Sequence, residues 1–238
     1  MLSSSLGTTM EMWRPQLTDL HRHFRIVRYD HRGHGRSAVP PAPYRIDDLG
    51  HDVIDLLDHL DLERVHFAGL SIGGMTGMWL AAHAPGRIHR LALLCTSAKL
   101  GTEEYWAQRA ATVTQSGCSA VADAVVERWF TPAFRRHSPD VVAHYTTMLA
   151  GIPAAGYAAC CSAIGAMDLR TDLPRISAAT MVIAGADDPA TPLEHARVIA
   201  TAIPDARLKV IDDAAHLASV EQPDIAAALV AQHFLGEP

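Results

Sequence analysis

The feature that most constrains this chain is a G-x-S-x-G motif at residues 69–73, which read GLSIG. Residues 64–68 (RVHFA) alternate and favour a strand, and residues 75–84 carry helix-forming side chains. The motif therefore predicts a nucleophile elbow, a sharp strand-to-helix turn that presents the hydroxyl of Ser71. Its glycines leave room for a strained turn, in which the N–H of Ile72 points toward the same space. A Gly/Ser turn without chemistry is the alternative, and the flanking patterns favour the elbow.

A serine of this type needs an acid and then a histidine, each placed after a later strand. Residues 180–184 (TMVIA) predict such a strand, and the polar loop after it contains Asp187 and Asp188. We predict Asp188 as the acid and keep Asp187 as the alternative, because the histidine is oriented by a carboxylate on the inward side of the loop. This preference rests partly on the resemblance described below. Residues 207–211 (RLKVI) predict the last strand, and His216 follows it on a loop.

The chain contains 14 histidines, so position has to select the base. Only His216 follows a predicted strand downstream of both Ser71 and Asp188, on a loop from which its ring can reach the serine hydroxyl. We therefore predict His216 as the general base and assign the other histidines no role.

An early loop is expected to supply the second half of an oxyanion hole. Residues 4–8 (SSLGT) precede an amphipathic helical stretch at residues 10–21 and occupy that place in the chain. The N–H of Leu6 would then act together with the N–H of Ile72.

The composition indicates one large globular core. The chain has 238 residues, of which 49% are hydrophobic and 19% charged, which allows a single core with a small accessory subdomain. The net charge of −6 and the scattered basic residues argue against a nucleic-acid partner.

The cysteines and the hydropathy pattern favour a reduced, cytoplasmic location. The four cysteines form no C-x-x-C pair, and no charged and apolar leader pattern opens the chain. Residues 141–167 lack Asp, Glu, Lys and Arg and reach the length of a membrane span. Gly151, Pro153 and Gly156 interrupt this segment, so we predict two short helices with a shared apolar face and no membrane partner.

Strand-like and helical segments alternate along the chain, which predicts a mostly parallel α/β sheet with flanking helices. The predicted strands are residues 25–29, 65–68, 90–94, 181–184 and 208–211. Ligands of such sheets bind beyond the carboxyl ends of the strands, where Ser71, Asp188 and His216 fall. Between residues 102 and 169 the pattern predicts four helices and no strand. We predict a discontinuous core, residues 1–101 and 170–238, with residues 102–169 forming a helical lid.

With these motifs the chain resembles the α/β-hydrolase superfamily, and within it the 3-oxoadipate enol-lactone hydrolases. The similarity covers nearly the whole chain. It rests on residues 5–9 (SLGTT), 11–13 (EMW), 28–30 (RYD), 32–37 (RGHGRS), 69–73 (GLSIG), 127–131 (ERWFT), 156–161 (GYAACC), 167–170 (MDLR), 184–185 (AG) and 188–192 (DPATP). The elbow and residues 32–37 are shared by many hydrolases, whereas the lid motifs are more specific.

The resemblance implies hydrolysis of 3-oxoadipate enol-lactone in the breakdown of aromatic compounds, with a small-molecule lactone as the partner. No metal or organic cofactor is required. Self-association, and fusion to or association with a neighbouring pathway enzyme, are left open. Because the substrate carries a carboxylate, an apolar pocket needs one cation for it. Arg128, beside Trp129 in the lid, is the first candidate, and Lys99 is the second.

The chain departs from the superfamily pattern at its beginning, where strands that normally precede the oxyanion loop are absent. A central strand between residues 25–29 and 65–68 is therefore predicted to be missing, as expected of an N-terminally truncated chain.

Two groups of alternative functions remain open. Within the same class, the chain could be a carboxylesterase, a C–C bond hydrolase or a cofactor-free haloperoxidase-like enzyme. In a different class, it could be a non-catalytic ligand receptor on the same fold. Turnover of enol-lactone against p-nitrophenyl acetate separates the first group, and covalent labelling of Ser71 tests the second.

Overall fold

The structure, a computed structural model, describes residues 1–237. Its centre is a five-stranded parallel sheet whose strands lie side by side in chain order. The strands are β1 (Leu2–Ser3), β2 (Val65–Leu70), β3 (Ile88–Leu94), β4 (Ala179–Gly185) and β5 (Arg207–Ile211). Strands β2 to β5 confirm four of the five predicted strands.

Helices connect the parallel strands and cover the sheet, as crossover connections require. They are α1 (Leu17–Leu20), α2 (Ile46–His59), α3 (Ile72–His83), α4 (Glu103–Ser116), α5 (Ser119–Glu127), α6 (Pro132–His137), α7 (Pro139–Ala150), α8 (Ala154–Ala166), α9 (Leu193–Ala202), α10 (Ala218–Glu221) and α11 (Pro223–Leu235). Short 3-10 stretches lie at Met10–Gln16, Pro85–Arg87 and Leu173–Arg175.

The middle of the sheet is apolar on both faces. Residues Leu91 to Leu94 of β3 are fully buried, and Leu93 lies opposite Val182 of β4. A continuous apolar run is typical of a parallel strand with helices on both sides. At the edge, β5 exposes Arg207 and Lys209, whose charges disfavour pairing with another chain.

The first strand differs from the sequence prediction. Residues 25–29 form no regular strand, and their one bridge joins Arg28 to Leu2. The central strand predicted to be missing is represented by β1, because Leu2 pairs with Ala68 on one side and donates its N–H to Val27 O at 2.9 Å on the other. Two residues of that strand are therefore in place, as β1.

An open groove continues from the N-terminal end of β1, between residues 25–27 and residues 64–66. The groove has a volume of about 440 Å³, and Ile26 and Val27 line one side while Val65 and His66 line the other. Within residues 1–237 no β-bridge joins these two segments directly.

Between β3 and β4 the described chain forms five helices, α4 to α8, where the sequence predicts four. The shortest of the five is α6, which begins at Pro132 and is capped by the Thr131 hydroxyl accepting the N–H of Phe134. No single helix within residues 1–237 is long and apolar enough to cross a membrane. Helices α7 and α8 meet that test only as a pair, and they are bent by 92° at the break between them.

Helix α8 connects these helices to the core through a glycine contact. It packs on α4, while its Gly156 lies backbone to backbone against Gly33. A Cβ atom at residue 156 would overlap the carbonyl oxygen and Cα of Gly33. The loop at Gly33 has a φ of +76°, so it also favours glycine.

We expect Gly156→Ala to lower the free energy of unfolding by about 3 kcal/mol, because neither backbone can yield to the methyl group. An alanine normally stabilises a helix, so the predicted sign is opposite to helix propensity. The control is Gly86→Ala, since a Cβ there meets nothing within 4 Å. Denaturant unfolding of the three proteins measures the effect, and equal stability of the two variants would contradict the described contact.

Candidate active site

Ser71 occupies the turn between β2 and α3 with a strained backbone. Its φ is 58° and its ψ is −119°, a backbone conformation that residues other than glycine rarely adopt. The turn is fixed on both sides, because the N–H of Ser71 donates to Leu94 O at 3.0 Å and its carbonyl accepts the Thr96 hydroxyl at 2.7 Å. This is the geometry that the G-x-S-x-G motif predicts.

The two glycines of the motif are required by close packing. A Cβ at Gly69 would overlap the carbonyl of Gly73, and a Cβ at Gly73 would overlap the carbonyl of Ser3 in β1. The turn therefore closes tightly, and Ile72 begins α3 with an N–H that has no acceptor inside the helix.

His216 and Asp188 meet on the loops that follow β5 and β4. Nδ1 of His216 lies 2.9 Å from Oδ2 of Asp188, and both side chains are buried. Thr191 adds its N–H to Oδ1 at 3.0 Å and its hydroxyl to Oδ2 at 2.7 Å. The structure thus brings the predicted acid and base together.

The electrostatics of this pair favour an ionised carboxylate. Burial by itself raises the pKa of Asp188, but the charge of His216 and the hydrogen bonds from His216 and Thr191 outweigh burial and lower the pKa to about 2. Asp187, the alternative acid, is exposed and forms no hydrogen bond to His216 within the described residues.

Ser71 and His216 line one cavity with a volume of about 390 Å³. No hydrogen bond joins the Ser71 hydroxyl to the imidazole in the described part of the chain. Such bonds are often long in free enzymes and shorten when substrate binds. The arrangement can support nucleophilic attack by Ser71 on an ester carbonyl placed in the cavity.

The oxyanion loop is held by two buried histidines that the sequence does not single out. Nε2 of His34 accepts the N–H of Gly7 at 3.0 Å, and Nε2 of His31 lies 2.8 Å from Ser4 O. Between these anchors, Leu6 lines the cavity, as the oxyanion-hole prediction requires. Within residues 1–237 the N–H of Leu6 has no hydrogen-bond acceptor, so it is free to bind one.

The predicted substrate-binding residues are divided between two regions. Arg128 and Trp129 line the cavity with Ser71. Lys99 does not, because its side chain lines a separate depression and its Nζ lies 3.5 Å from Met167 O. The loop after β3 thus directs Lys99 away from the site where the sequence analysis placed it.

Glu221 supports the histidine loop and is another residue that the sequence does not reveal. It is buried, and it accepts the N–H of Ala215, next to His216, as well as the N–H and hydroxyl of Thr131. The carbonyl of Trp129 also accepts the N–H of Leu217 at 2.9 Å. These bonds join the helical segment to the loop that carries the imidazole.

Comparison with known proteins agrees with this fold. The sequence matches the model of the alpha/beta hydrolase fold family over residues 4–223, and the chain belongs to that family. It is 43% identical over 221 residues to 3-oxoadipate enol-lactonase 2 of Acinetobacter baylyi, a match that covers 93% of this chain and 82% of that relative.

Two solved structures are similar over almost the whole chain. The enol-lactonase from Burkholderia xenovorans LB400 superposes with a TM-score of 0.96 at 42% identity, covering 98% of this chain and 90% of that one. A hydrolase from Pseudomonas aeruginosa gives a TM-score of 0.94 at 46% identity, covering 99% and 88%. The predicted fold class and the resemblance to enol-lactone hydrolases are confirmed.

We expect Asp188→Asn to reduce kcat by about ten-thousand-fold, because the amide cannot hold the imidazole in the required tautomer or stabilise its cation. Asp187→Asn is the matched control and should leave kcat nearly unchanged. Steady-state hydrolysis by both variants checks the assignment, and the reverse pattern would make Asp187 the acid.

The imidazole of His34 is fully buried, which makes the stability of the fold depend on pH. Burial, with a smaller contribution from the His31 charge, lowers the pKa of His34 to about 3. Between about pH 6.5 and 3 the unfolded chain therefore binds a proton that the folded chain does not, and the free energy of unfolding falls as the pH falls.

His34→Gln keeps a hydrogen-bond acceptor for Gly7 and removes the titration. We expect the wild-type protein to lose about 2.5 kcal/mol more stability than this variant between pH 7 and 4.5. Denaturant unfolding across that range measures the difference. Parallel stability curves for the two proteins would show that His34 is not buried in its neutral form.

Proposed function

We propose that this protein hydrolyses 3-oxoadipate enol-lactone to 3-oxoadipate, with Ser71, His216 and Asp188 as a catalytic triad. The observation that carries the proposal is the strained turn at Ser71, which opens into the same cavity as the imidazole held by Asp188. The substrate class is supported by the relatives named enol-lactonases at 42–43% identity.

In the first half of the reaction, the Ser71 oxygen forms a bond to the lactone carbonyl carbon while Nε2 of His216 accepts the serine proton. The N–H groups of Leu6 and Ile72 stabilise the oxyanion that develops. The ring C–O bond then breaks, and the electron pair leaves as an enolate. Because its charge is delocalised, the enolate leaves more easily than a simple alkoxide. His216 then transfers to it the proton that came from Ser71.

In the second half, His216 deprotonates a water molecule that attacks the Ser71 ester. The bond to Ser71 breaks, the proton returns to the serine oxygen, and the dicarboxylate product is released. The overall reaction consumes one lactone and one water. The route uses no metal or organic cofactor, and it assigns the role of a lid to residues 102–169.

The substrate's own carboxylate needs a cation in the cavity. Of the two candidates from the sequence, Arg128 lines the cavity beside Trp129, whereas Lys99 lies outside it. A small-molecule lactone is the only partner that this proposal requires. A cytoplasmic location, expected from the sequence, belongs to the same proposal.

We expect Ser71→Ala and His216→Ala each to reduce kcat for the enol-lactone by about a million-fold, because the triad acts as a unit. The double variant should lose little more than either single variant. Thermal unfolding of each protein controls for folding. Multiplicative losses in the double variant would contradict a shared mechanism, and turnover of p-nitrophenyl acetate without turnover of lactone would identify a simple esterase.

A further inference from the structure

The charges that line the active-site cavity are all positive among the described residues. Two arginines, Arg109 and Arg128, line it, and no described Asp or Glu does. A carboxylate buried in such a cavity needs a cation with free N–H donors. The two arginines differ in how many donors they have left.

Two of the five N–H donors of Arg128 are directed at neighbouring protein atoms. Its Nη2 lies 3.3 Å from Pro189 O, and its Nη1 lies 3.4 Å from the Tyr105 hydroxyl. These bonds hold the guanidinium against the loop that follows Asp188, so protein atoms already fix its orientation.

Arg109, in contrast, keeps its N–H donors free of protein acceptors in the described chain. Its guanidinium carbon lies 5.2 Å from the ring centroid of Trp106 and 5.5 Å from that of Tyr105, which precede it on α4 by three and four residues. Within residues 1–237 it has no carboxylate within 4.0 Å and no hydrogen-bond partner. The aromatic faces orient the cation and leave its N–H groups free for a ligand.

Tyr157 of α8 lines the same cavity and carries a second unused polar group. Its side chain is fully buried, and its hydroxyl has no hydrogen-bond partner in the described chain. The ring packs against the oxyanion loop at Gly7, where an added Cβ would lie only 3.2 Å from Cε2 of Tyr157. Burial raises the pKa of Tyr157 and the charge of Arg109 opposes the rise, so the hydroxyl stays protonated and can donate.

We propose that Arg109 and Tyr157 form the subsite that binds the carboxylate of the lactone's acetate arm. The guanidinium is the ion-pair partner, and the phenol donates one hydrogen bond. This proposal rests on the proposed function. It assigns selectivity for carboxylated lactones to α4 and α8, while the lactone carbonyl faces Ser71 and the oxyanion loop.

The test compares a charged with a neutral substrate. Arg109→Leu should raise KM for the enol-lactone by about ten- to a hundredfold and leave KM for p-nitrophenyl acetate within about twofold. Arg109→Lys should recover part of the loss because it keeps the charge. Arg136→Leu, which removes an exposed arginine of α6, is the matched control and should change neither value.

Tyr157→Phe separates binding from structure. Since its hydroxyl has no partner, removing it should leave the melting temperature unchanged or raise it, while KM for the lactone rises about five- to tenfold. A purely structural tyrosine would lower the melting temperature and affect both substrates equally, which would overturn its role. Tyr145→Phe, which removes a lid hydroxyl outside the cavity, is the control.

Selective loss of lactone binding in Arg128→Leu, with Arg109→Leu unaffected, would also overturn the proposal. Calorimetric binding of adipate, a six-carbon dicarboxylate, needs no turnover and so keeps this test independent of the proposed function. If the wild-type protein does not hydrolyse the lactone, the proposed function fails. The subsite then stands when Arg109→Leu weakens adipate binding at least tenfold, and it falls when the two proteins bind adipate equally.

Discussion

The structure depends on one backbone constraint, the positive φ of Ser71. This conformation is costly for a residue with a side chain and persists only where the surroundings impose it. Here the imposed contacts come from both directions, since Gly69 and Gly73 allow β2 to meet α3 closely and Leu94 and Thr96 bind the serine backbone. The same close approach places β1 beside the turn. The sheet, α3 and Ser71 are therefore positioned by a single packing arrangement.

Buried polar contacts hold the other groups that line the cavity in place around that turn. His34 binds Gly7 and so fixes the loop that contains Leu6, while Glu221 binds the backbone beside His216 and that of Thr131 at the start of α6. Buried carboxylates and imidazoles are costly unless they are fully hydrogen-bonded. Their placement here holds the oxyanion loop, the imidazole and the helical segment at defined positions around one cavity. In the proposed function the groups for the chemistry come from the strand ends, and in the proposed subsite the groups for substrate selection come from α4 and α8.

Much of the sheet and of the triad could be predicted from the sequence because the signals are local. The strand-to-helix change around Ser71 and the polar loops after two apolar runs are each contained in about ten residues. The two-residue strand β1 gives no such periodicity, so its position could not be read from the sequence. Lys99, Arg109 and Tyr157 show a second limit, because the direction of a loop or of one helix face toward a cavity is decided by tertiary packing. His34 and Glu221 are recognised only once their distant backbone partners are known.

The central claim is that Ser71 is the nucleophile, activated by the imidazole that Asp188 orients. Reaction with a fluorophosphonate followed by peptide mapping tests this assignment, because the reagent reacts preferentially with an activated serine hydroxyl. We predict one adduct, on the peptide that contains Ser71, with lactone turnover lost in proportion to labelling and protection by added lactone. Ser97 is the informative competitor, since its hydroxyl lies 2.6 Å from Nδ1 of His195 outside the cavity. An adduct on Ser97, or full lactone turnover by protein labelled at Ser71, would contradict the account.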